Sequence, residues 1–271
     1  MGIILDRIIM KINMKDVSFI IPLRVDCPER LNNLTIQLNY LLKNINAKIY
    51  VLEADDIQKG ADLNRFDISY RFIKDDAPVF YFTRYHNEMI KACTTPYIAV
   101  CDVDVITPVP HLKKAVEKLR SKEAYVTWPY DGIFFNVPQE LCSKFASTGD
   151  IETLTSCKRY LSSMYGAFSN GGIFLADREK YMEIGMENEH IYGWGPEDIE
   201  RLRRMTILGV PVYRVKGEMY HLWHPRGNNR LNVDPARDMR NFSEYLKVCR
   251  MTREELLAYI KTWEWVNAVI V

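Results

Sequence analysis

The segment PYIAVCDVDV, residues 96–105, is a short apolar run that ends in two aspartates. A run of this length and character predicts a buried strand. Two earlier runs, VSFIIP (17–22) and AKIYVLEAD (47–55), predict strands in the same way. Leucines at helical spacing over 28–43 predict a helix between them, and HNEMIKAC (86–93) predicts a second helix. This alternation predicts an α/β fold, with a Rossmann-like, mostly parallel sheet and helices on both faces.

The second half of the chain alternates less regularly. Apolar runs predict strands in AYVTWPY, GGIFLAD (171–177) and VPVYRV (210–215), and PEDIERLRRMTIL (196–208) has a helical pattern. Near the C-terminus, the capping box from Thr252 to Glu255 predicts another helix.

These patterns predict one domain over residues 16–228 with an extension at each end. Its first half, predicted over 16–122, has the pattern of a nucleotide-binding unit, and its second half, over 123–228, is predicted to supply the rest of a cleft. Residues 1–15 are predicted as an N-terminal extension and 229–271 as a C-terminal helical extension.

Composition excludes several classes of protein. The 271 residues have a formal net charge of +1 and are 26% charged, which is typical of a soluble globular protein without a nucleic-acid partner. Six cysteines occur singly, which favours free thiols in a reducing, cytoplasmic compartment. Charges from Asp6 to Lys15 interrupt the N-terminal apolar run, so no transmembrane segment is predicted, and peripheral contact with the inner face of a membrane stays open.

Two polar stretches follow predicted strands at one edge of the sheet. Ligands of parallel α/β sheets collect at the carboxyl ends of the strands, which predicts that PLR (22–24) and DVD (102–104) share a rim. If the strand continues through DVD, Asp102 and Asp104 point to the same face and repel each other unless a cation lies between them. The alternative is a strand-end turn in which the aspartates cap backbone amides.

The segment HLWH carries His221 and His224 just after the last predicted strand. Two imidazoles three residues apart can bind one metal ion on a tight turn. The alternative is a pair of half-buried histidines among the aromatic residues Tyr220 and Trp223.

The stretch IYGWGPEDIERL (191–202) has the signals of a helix start, with Pro196 followed by the acids Glu197 and Asp198. A helix start does not explain the aromatic residues Tyr192 and Trp194 beside glycines and carboxylates, an arrangement typical of sugar sites. The basic cluster ERLRRM that follows is predicted to form a solvated helix face.

In order along the chain, the motifs IIPLR, CDVDV, NGGIFLA, GWGPEDIE and YHLWH resemble the beta-1,4-galactosyltransferase family and its bacterial galactosyltransferase-related members. They resemble the polypeptide N-acetylgalactosaminyltransferases more distantly. The resemblance covers about residues 17–226. It implies the GT-A fold and an enzyme that uses a UDP-sugar together with Mn²⁺ or Mg²⁺.

The resemblance also implies a metal and donor site. Asp104, the last aspartate of the DxD motif, and His224 match the family's metal ligands, and His221 stands where the family has a methionine. Asp102 would lie beside the ribose or diphosphate and is a further candidate ligand. The implied donor-binding residues are Pro22, Arg24, Arg84, Asn87, Asp102, Val103, Asp104, Gly172 and Trp194.

The implied reaction is a single displacement with inversion, in which Asp198 removes the proton of an acceptor hydroxyl. Glu197 would hold acceptor hydroxyls, and Tyr192 and Trp194 would complete the acceptor site. Pro196 and Ile199 depart from the family's WGGEDDD, which leaves the acceptor open.

Ser169 replaces a tyrosine that crowds the sugar's 2-position in animal members of the family. The expected donors are therefore UDP-Gal and UDP-GalNAc, with a glycan hydroxyl as acceptor in surface polysaccharide synthesis. Two alternatives are a sugar nucleotidyltransferase or hydrolase, although PLRVDCPERL lacks a glycine-rich nucleotide loop, and a non-catalytic carbohydrate-binding module.

Overall fold

The computed structural model describes residues 11–166, 168–225 and 234–267. Most of the predicted N-terminal extension, and the predicted boundary at residue 228, lie outside the described residues. The strands are β1 (Ile12–Leu23), β2 (Ile45–Asp55), β3 (Ser69–Lys74), β4 (Tyr97–Cys101), β5 (Val105–Ile106), β6 (Val126–Trp128), β7 (Phe134–Val137), β8 (Ser162–Ser163), β9 (Ile173–Asp177), β10 (Val212–Arg214) and β11 (Met219–Leu222).

Helices alternate with these strands and then follow them at the C-terminal end. They are α1 (Pro28–Asn44), α2 (Phe82–Ala92), α3 (Val109–Arg120), α4 (Gln139–Thr148), α5 (Glu152–Thr155), α6 (Arg178–Glu183), α7 (Glu197–Leu208), α8 (Pro235–Cys249), α9 (Arg253–Ile260) and α10 (Glu264–Asn267). Two short 3-10 turns cover Ala61–Arg65 and Lys158–Tyr160.

Within the described ranges, seven strands form a mixed central sheet in the order β10-β6-β9-β4-β1-β2-β3. Neighbouring strands are parallel throughout except at β9, which runs antiparallel to both β4 and β6. The predicted α/β class with a mostly parallel sheet is confirmed. The predicted division at residue 122 stays a prediction, and strands from both sides of it share this one sheet.

The apolar runs that open the sequence form the centre of the sheet. Phe19, Ile20 and Ile21 of β1 are all fully buried, although their side chains alternate between the two faces. A strand buried on both faces needs a continuous apolar run instead of alternation, which explains why VSFIIP predicts this position.

The orientation of β9 places its first residue at the functional edge of the sheet. Cys101, the last residue of β4, pairs with Ile173, the first residue of β9. The backbone amide of Asp102 donates to the carbonyl of Gly172 at 2.8 Å. The beginning of β9 therefore lies against the end of β4, because the two strands run in opposite directions.

Of the two alternatives for DVD, a continued strand and a strand-end turn, the structure has the turn. The strand ends at Cys101, and Asp102–Asp104 form a turn before β5. The side-chain amide of Gln37 helps to hold this turn, because its Nε2 donates to the carbonyls of Asp102 and Val105, each at 2.7 Å.

A second sheet, of four strands in the order β5-β11-β7-β8, lies beyond this turn in the described part of the chain. His221 of β11 pairs with Val105 of β5, immediately after Asp104. This register brings the predicted histidines to the DVD turn from a distant part of the sequence.

The C-terminal helices α8 and α9 contact α7, the helix that follows the GWGPED motif. The predicted capping box is confirmed, since the Thr252 side chain accepts from the Glu255 amide and the Glu255 carboxylate accepts from the Thr252 amide. No helix among the residues described here has both the length and the apolar character that crossing a bilayer requires.

Candidate active site

A cavity of about 860 Å³ opens at the carboxyl ends of β1 and β4. Pro22 and Arg24 line it from the end of β1, and the DVD turn lines it from the end of β4. The predicted common rim is therefore present. The second half of the chain contributes the loop before β9, the start of α7 and the end of β11.

Asp104, His221 and His224 form one cluster at this cavity. One potential ligand atom of each lies within 4.8 Å of those of the other two. The Nε2 atoms of His224 and His221 lie 3.2 and 3.6 Å from the Asp104 carboxylate. Burial acts to raise the pKa of Asp104, but the neighbouring histidines and Arg30 lower it below its usual range. The Asp104 carboxyl is therefore buried but ionised, and the cluster can hold a divalent cation.

Arg30, in the first turns of α1, completes the surroundings of Asp104. Its guanidinium lies 2.6 Å from the Asp104 carboxylate, and its side chain lines the cavity. The sequence alone does not indicate this residue, because its position depends on how α1 packs against the DVD turn. A fixed guanidinium beside a metal site is suited to binding a phosphate group.

Asp102 also lines the cavity, but its carboxylate is not part of the Asp104 cluster. Burial and the negative charge of Asp104 raise the pKa of Asp102 well above its usual range. The prediction that Asp102 is a metal ligand therefore lacks support in this arrangement, whereas its predicted place beside the donor stays a prediction.

The first turn of α7 brings Glu197 and Asp198 to the same cavity. Glu197 is nearly buried, and its carboxylate accepts from the Gly195 amide at 2.9 Å, which fixes the entry to the helix. Asp198 is more accessible, and its Oδ1 accepts from Arg201 at 2.9 Å. Burial raises the pKa of Asp198, an effect that Arg201 partly offsets.

Arg201 and Arg204 correct the interpretation of the basic cluster, because both are buried. Arg201 donates from Nε and Nη2 to the two carboxylate oxygens of Glu187, at 3.0 and 2.8 Å. Its remaining Nη1 reaches Asp198. The helix face is therefore an internal ionic network that holds the Asp198 carboxylate, not a solvated surface.

The glycine pair before β9 allows Asp198 and the second sheet to approach closely. A Cβ on Gly171 would collide with the Asp198 carboxylate. Gly172 has φ of +81°, and a Cβ there would lie 2.5 Å from Met219 of β11. The NGG motif is therefore a steric requirement of the site.

Trp194 is exposed at the cavity, but Tyr192 is not among the residues that line it. The Tyr192 hydroxyl donates to the carbonyl of Val79 at 3.3 Å, and its ring packs edge-on against Tyr81 at 4.8 Å. Tyr192 therefore supports the loop, and its predicted contact with an acceptor is not supported by this geometry.

The predicted donor contacts of Arg84 and Asn87 are also not supported, because neither residue lines the cavity. Asn87 is buried, and its side chain bonds to the backbone of Glu187. The helical repeat of α2 turns Phe82 and His86 toward the cavity instead.

Arg24 lines the cavity but is largely committed to holding a neighbouring loop. Its guanidinium donates to the carbonyls of Ala54 and Ala77 at 2.9 and 2.7 Å and pairs with Asp75. Arg24 therefore shapes the wall of the cavity.

Ser169 lies at the cavity next to the glycine pair, and its carbonyl accepts from Arg214 at 3.1 Å. The guanidinium of Arg214 stacks on Trp128 at 4.5 Å. His86 is a second cavity residue that the motifs do not indicate. Burial lowers the pKa of His86 to about 4, so its ring is neutral at pH 7.

Residues 157–225, which include Gly171, Trp194, Asp198 and both histidines of the cluster, match a family model described as the N-terminal domain of galactosyltransferase. The chain also resembles a structure of GalNAc-T7 with UDP, GalNAc and Mn²⁺, with a TM-score of 0.57 and 13% identity over 85% of this chain and 47% of that one. The chain has the GT-A fold. The resemblance predicted from the motifs is thereby confirmed.

Two further structures extend this comparison. The GT-A fold of this chain resembles glucosyl-3-phosphoglycerate synthase from Mycobacterium tuberculosis in complex with Mn²⁺, UDP and phosphoglyceric acid, with a TM-score of 0.52 and 14% identity over 87% of this chain and 78% of that one. The catalytic domain of Drosophila beta1,4galactosyltransferase 7 with xylobiose gives a TM-score of 0.46 and 17% identity over 75% and 64%. The chain thus spans less than two thirds of the galactosyltransferase and GalNAc-T7 chains.

Proposed function

We propose that the protein is a metal-dependent, inverting glycosyltransferase that moves galactose or N-acetylgalactosamine from a UDP-sugar to a hydroxyl of a glycan. The observation that carries this proposal is that the Asp104 cluster and Asp198 lie on the same cavity. A cation site and a separate carboxylate facing one cavity are the two elements that a metal-assisted displacement at a sugar carbon requires.

The ligands of the Asp104 cluster fit Mn²⁺, because one carboxylate and two imidazoles suit a first-row divalent metal. We assign Asp104, His221 and His224 as the ligands. A divalent metal bound there would neutralise the charge that develops on the departing diphosphate. Arg30 would bind the same diphosphate through its guanidinium.

On the acceptor side, Asp198 would accept the proton of the attacking hydroxyl. Arg201 keeps the Asp198 carboxylate oriented, since it occupies Oδ1 and leaves Oδ2 toward Gly171 and the cavity. Trp194 offers an exposed ring at the cavity against which the C–H face of a sugar can pack.

The choice of UDP as the nucleotide rests on the relatives. Structures with the GT-A fold of this chain contain UDP and Mn²⁺, one with GalNAc and one with phosphoglyceric acid. We place the reaction in surface polysaccharide or glycan synthesis on the cytoplasmic side of a membrane, a proposal supported by cysteines that occur singly along the sequence.

A ligand screen by thermal unfolding tests the metal and donor site. We expect UDP with Mn²⁺ to raise the melting temperature, and UDP alone to raise it much less, because ligand binding stabilises the folded state. The Asp104→Asn variant should lose this Mn²⁺-dependent increase. The Asp67→Asn variant, changed at an exposed position, should keep it.

Two results would contradict this assignment. One is the same UDP and Mn²⁺ response in Asp104→Asn as in the unchanged protein. The other is a Mn²⁺-dependent UDP response with no sugar transfer to any member of a glycan acceptor panel, which would favour the non-catalytic binding module. His224→Gln is the second variant, for the case that Asp104→Asn unfolds without ligand.

Ser169→Tyr tests the donor. Ser169 is nearly buried at the cavity wall, so a tyrosine at this position would fill part of the cavity. We expect the ratio of kcat/KM for UDP-GalNAc to that for UDP-Gal to fall by about tenfold or more, because a clash of a few atoms costs about 1–3 kcal/mol. Donor competition assays measure this ratio. An unchanged ratio would show that Ser169 does not face the 2-position of the sugar.

A further inference from the structure

Helix α8 carries an apolar stripe on its solvent-facing side. Met239, Phe242 and Leu246 are 72, 41 and 48% exposed. Their spacing of three and four residues puts them on one face of the helix. Single exposed hydrophobic residues are ordinary, but a continuous stripe indicates a surface that meets an apolar partner.

The stripe continues to the mouth of the cavity. Phe242 belongs to both, and four further exposed hydrophobic residues, Tyr165, Phe168, Trp194 and Ile199, line the cavity. With Met239 and Leu246, they make up seven of the ten large hydrophobic side chains exposed in the described ranges. Exposed apolar surface is therefore concentrated around one opening of the protein.

The charges that flank the stripe have one sign. Arg240 and Lys247 are exposed on α8, and the exposed Arg250 directly follows it. Residues 234–250, all of which the structure describes, contain three acids, and none is fully exposed. Asp234 is partly exposed and caps the start of α8, where its carboxylate accepts from the Ala236 and Arg237 amides. Asp238 is buried, and Glu244 turns toward the protein, where its carboxylate accepts from Tyr259 and Asn188.

The opposite face of α8 is attached to the loop that carries Trp194. The Asn241 side chain accepts from the Tyr192 amide at 3.1 Å and donates to the Tyr192 carbonyl at 2.9 Å. This pair of hydrogen bonds fixes the orientation of the stripe relative to the cavity mouth.

We propose that α8 and the cavity mouth dock onto an anionic membrane surface. Along α8, apolar side chains flanked by basic ones, with no fully exposed acid among them, match the acyl boundary and the negative headgroups of such a surface. A surface of this charge favours the lipid over a neutral protein groove, which would gain nothing from the basic flanks. The docking would turn the cavity toward acceptors held in the bilayer.

Vesicle cosedimentation tests this proposal without any donor or acceptor. We expect the protein to sediment with vesicles of phosphatidylcholine and phosphatidylglycerol, and much less with phosphatidylcholine alone. The double variant Met239→Glu/Leu246→Glu should weaken binding by at least about tenfold, because each change removes one apolar side chain that docking would bury in the bilayer. The double variant Arg240→Ala/Arg250→Ala should weaken it by about fivefold per removed charge.

Ile57→Glu is the matched control, because Ile57 is 62% exposed but lies outside the cavity lining and α8. It should bind vesicles as the unchanged protein does. The proposal is overturned if the unchanged protein ignores both vesicle types, binds both equally, or keeps its binding in Met239→Glu/Leu246→Glu. It is also overturned if sedimentation equilibrium shows a dimer that Met239→Glu dissociates, since a second copy would then cover the stripe.

Discussion

Asp198→Asn is expected to lower kcat for glycosyl transfer by roughly two to four orders of magnitude, the usual contribution of a general base. The amide keeps the shape of the side chain, and its oxygen still accepts from Arg201, so the start of α7 should keep its structure. The Asp104 cluster is unchanged. Binding of UDP with Mn²⁺, measured by thermal unfolding, should therefore stay as in the unchanged protein while transfer is lost.

Glu179→Gln is the matched control for this variant. Glu179 is an acid in the first turn of a different helix, α6, and it is exposed outside the cavity. Its substitution should leave kcat unchanged. Full transfer activity in Asp198→Asn would show that another group accepts the proton.

The raised pKa of Asp198 also determines the direction of the pH dependence. A base must be deprotonated, so activity should fall as the pH falls through the pKa of Asp198. Because burial raises that pKa, we expect the acid limb of the kcat profile to lie above the usual range of an aspartate. An acid limb in the ordinary aspartate range would contradict a base whose pKa is raised by burial.

Arg201→Met is expected to destabilise the protein by about 3–5 kcal/mol, as the loss of one partner from a buried ion pair usually does. Glu187 is almost fully buried and would lose both hydrogen bonds from Arg201, keeping the one that the Tyr181 hydroxyl donates. Asp198 would lose its orientation at the same time. Urea unfolding, with the free energy extrapolated to water, measures the change.

Two further variants test whether the loss in Arg201→Met comes from the pair with Glu187. Arg203→Met removes an exposed arginine two residues away and should change stability by less than about 0.5 kcal/mol. The double variant Arg201→Met/Glu187→Gln should recover part of the loss, because position 187 no longer carries an unpaired buried charge. Equal losses in Arg201→Met and Arg203→Met would mean that the Glu187 pair contributes nothing.

The same pair predicts how stability depends on pH. Burial acts to raise the pKa of Glu187, but Arg201 outweighs it and lowers the pKa to about 2, below the usual value of a glutamate near 4.5. A lowered folded-state pKa stabilises the protein above the unfolded pKa. This contribution should be lost as the pH falls from about 4.5 toward 2, and Arg201→Met should lack that part of the acid dependence.

The first half of the fold follows from local sequence patterns. The runs that contain Phe19 and Val100 are apolar without interruption, which is sufficient to indicate strands buried on both faces. The members of the Asp104 cluster are also predictable, because His221 and His224 have ligand spacing and Asp104 ends a strand-like run. Local spacing identifies residue types but not the pairing of β5 with β11 that brings them together.

The sequence fails to predict the structure where contacts between distant parts of the chain override local patterns. The ERLRRM cluster has the composition of a solvated helix face, yet Arg201 is buried because Glu187 comes from a separate loop. Arg30 reaches Asp104 only through the packing of α1 against the DVD turn. Asp102 and Asp104 lie in a turn that Gln37 stabilises by donating to the carbonyls of Asp102 and Val105. No local sequence pattern indicates this contact.

The pairing of β11 with β5 has a consequence for how the chain is made. Asp104 is synthesised long before His221 and His224, and the three meet only when Tyr220 and His221 pair with Ile106 and Val105. On the ribosome, the cation site therefore cannot assemble until nearly the whole domain has emerged. Binding of a cation by these three residues therefore requires β11, and a cation added to a nascent or truncated chain that ends before β11 should find no such site.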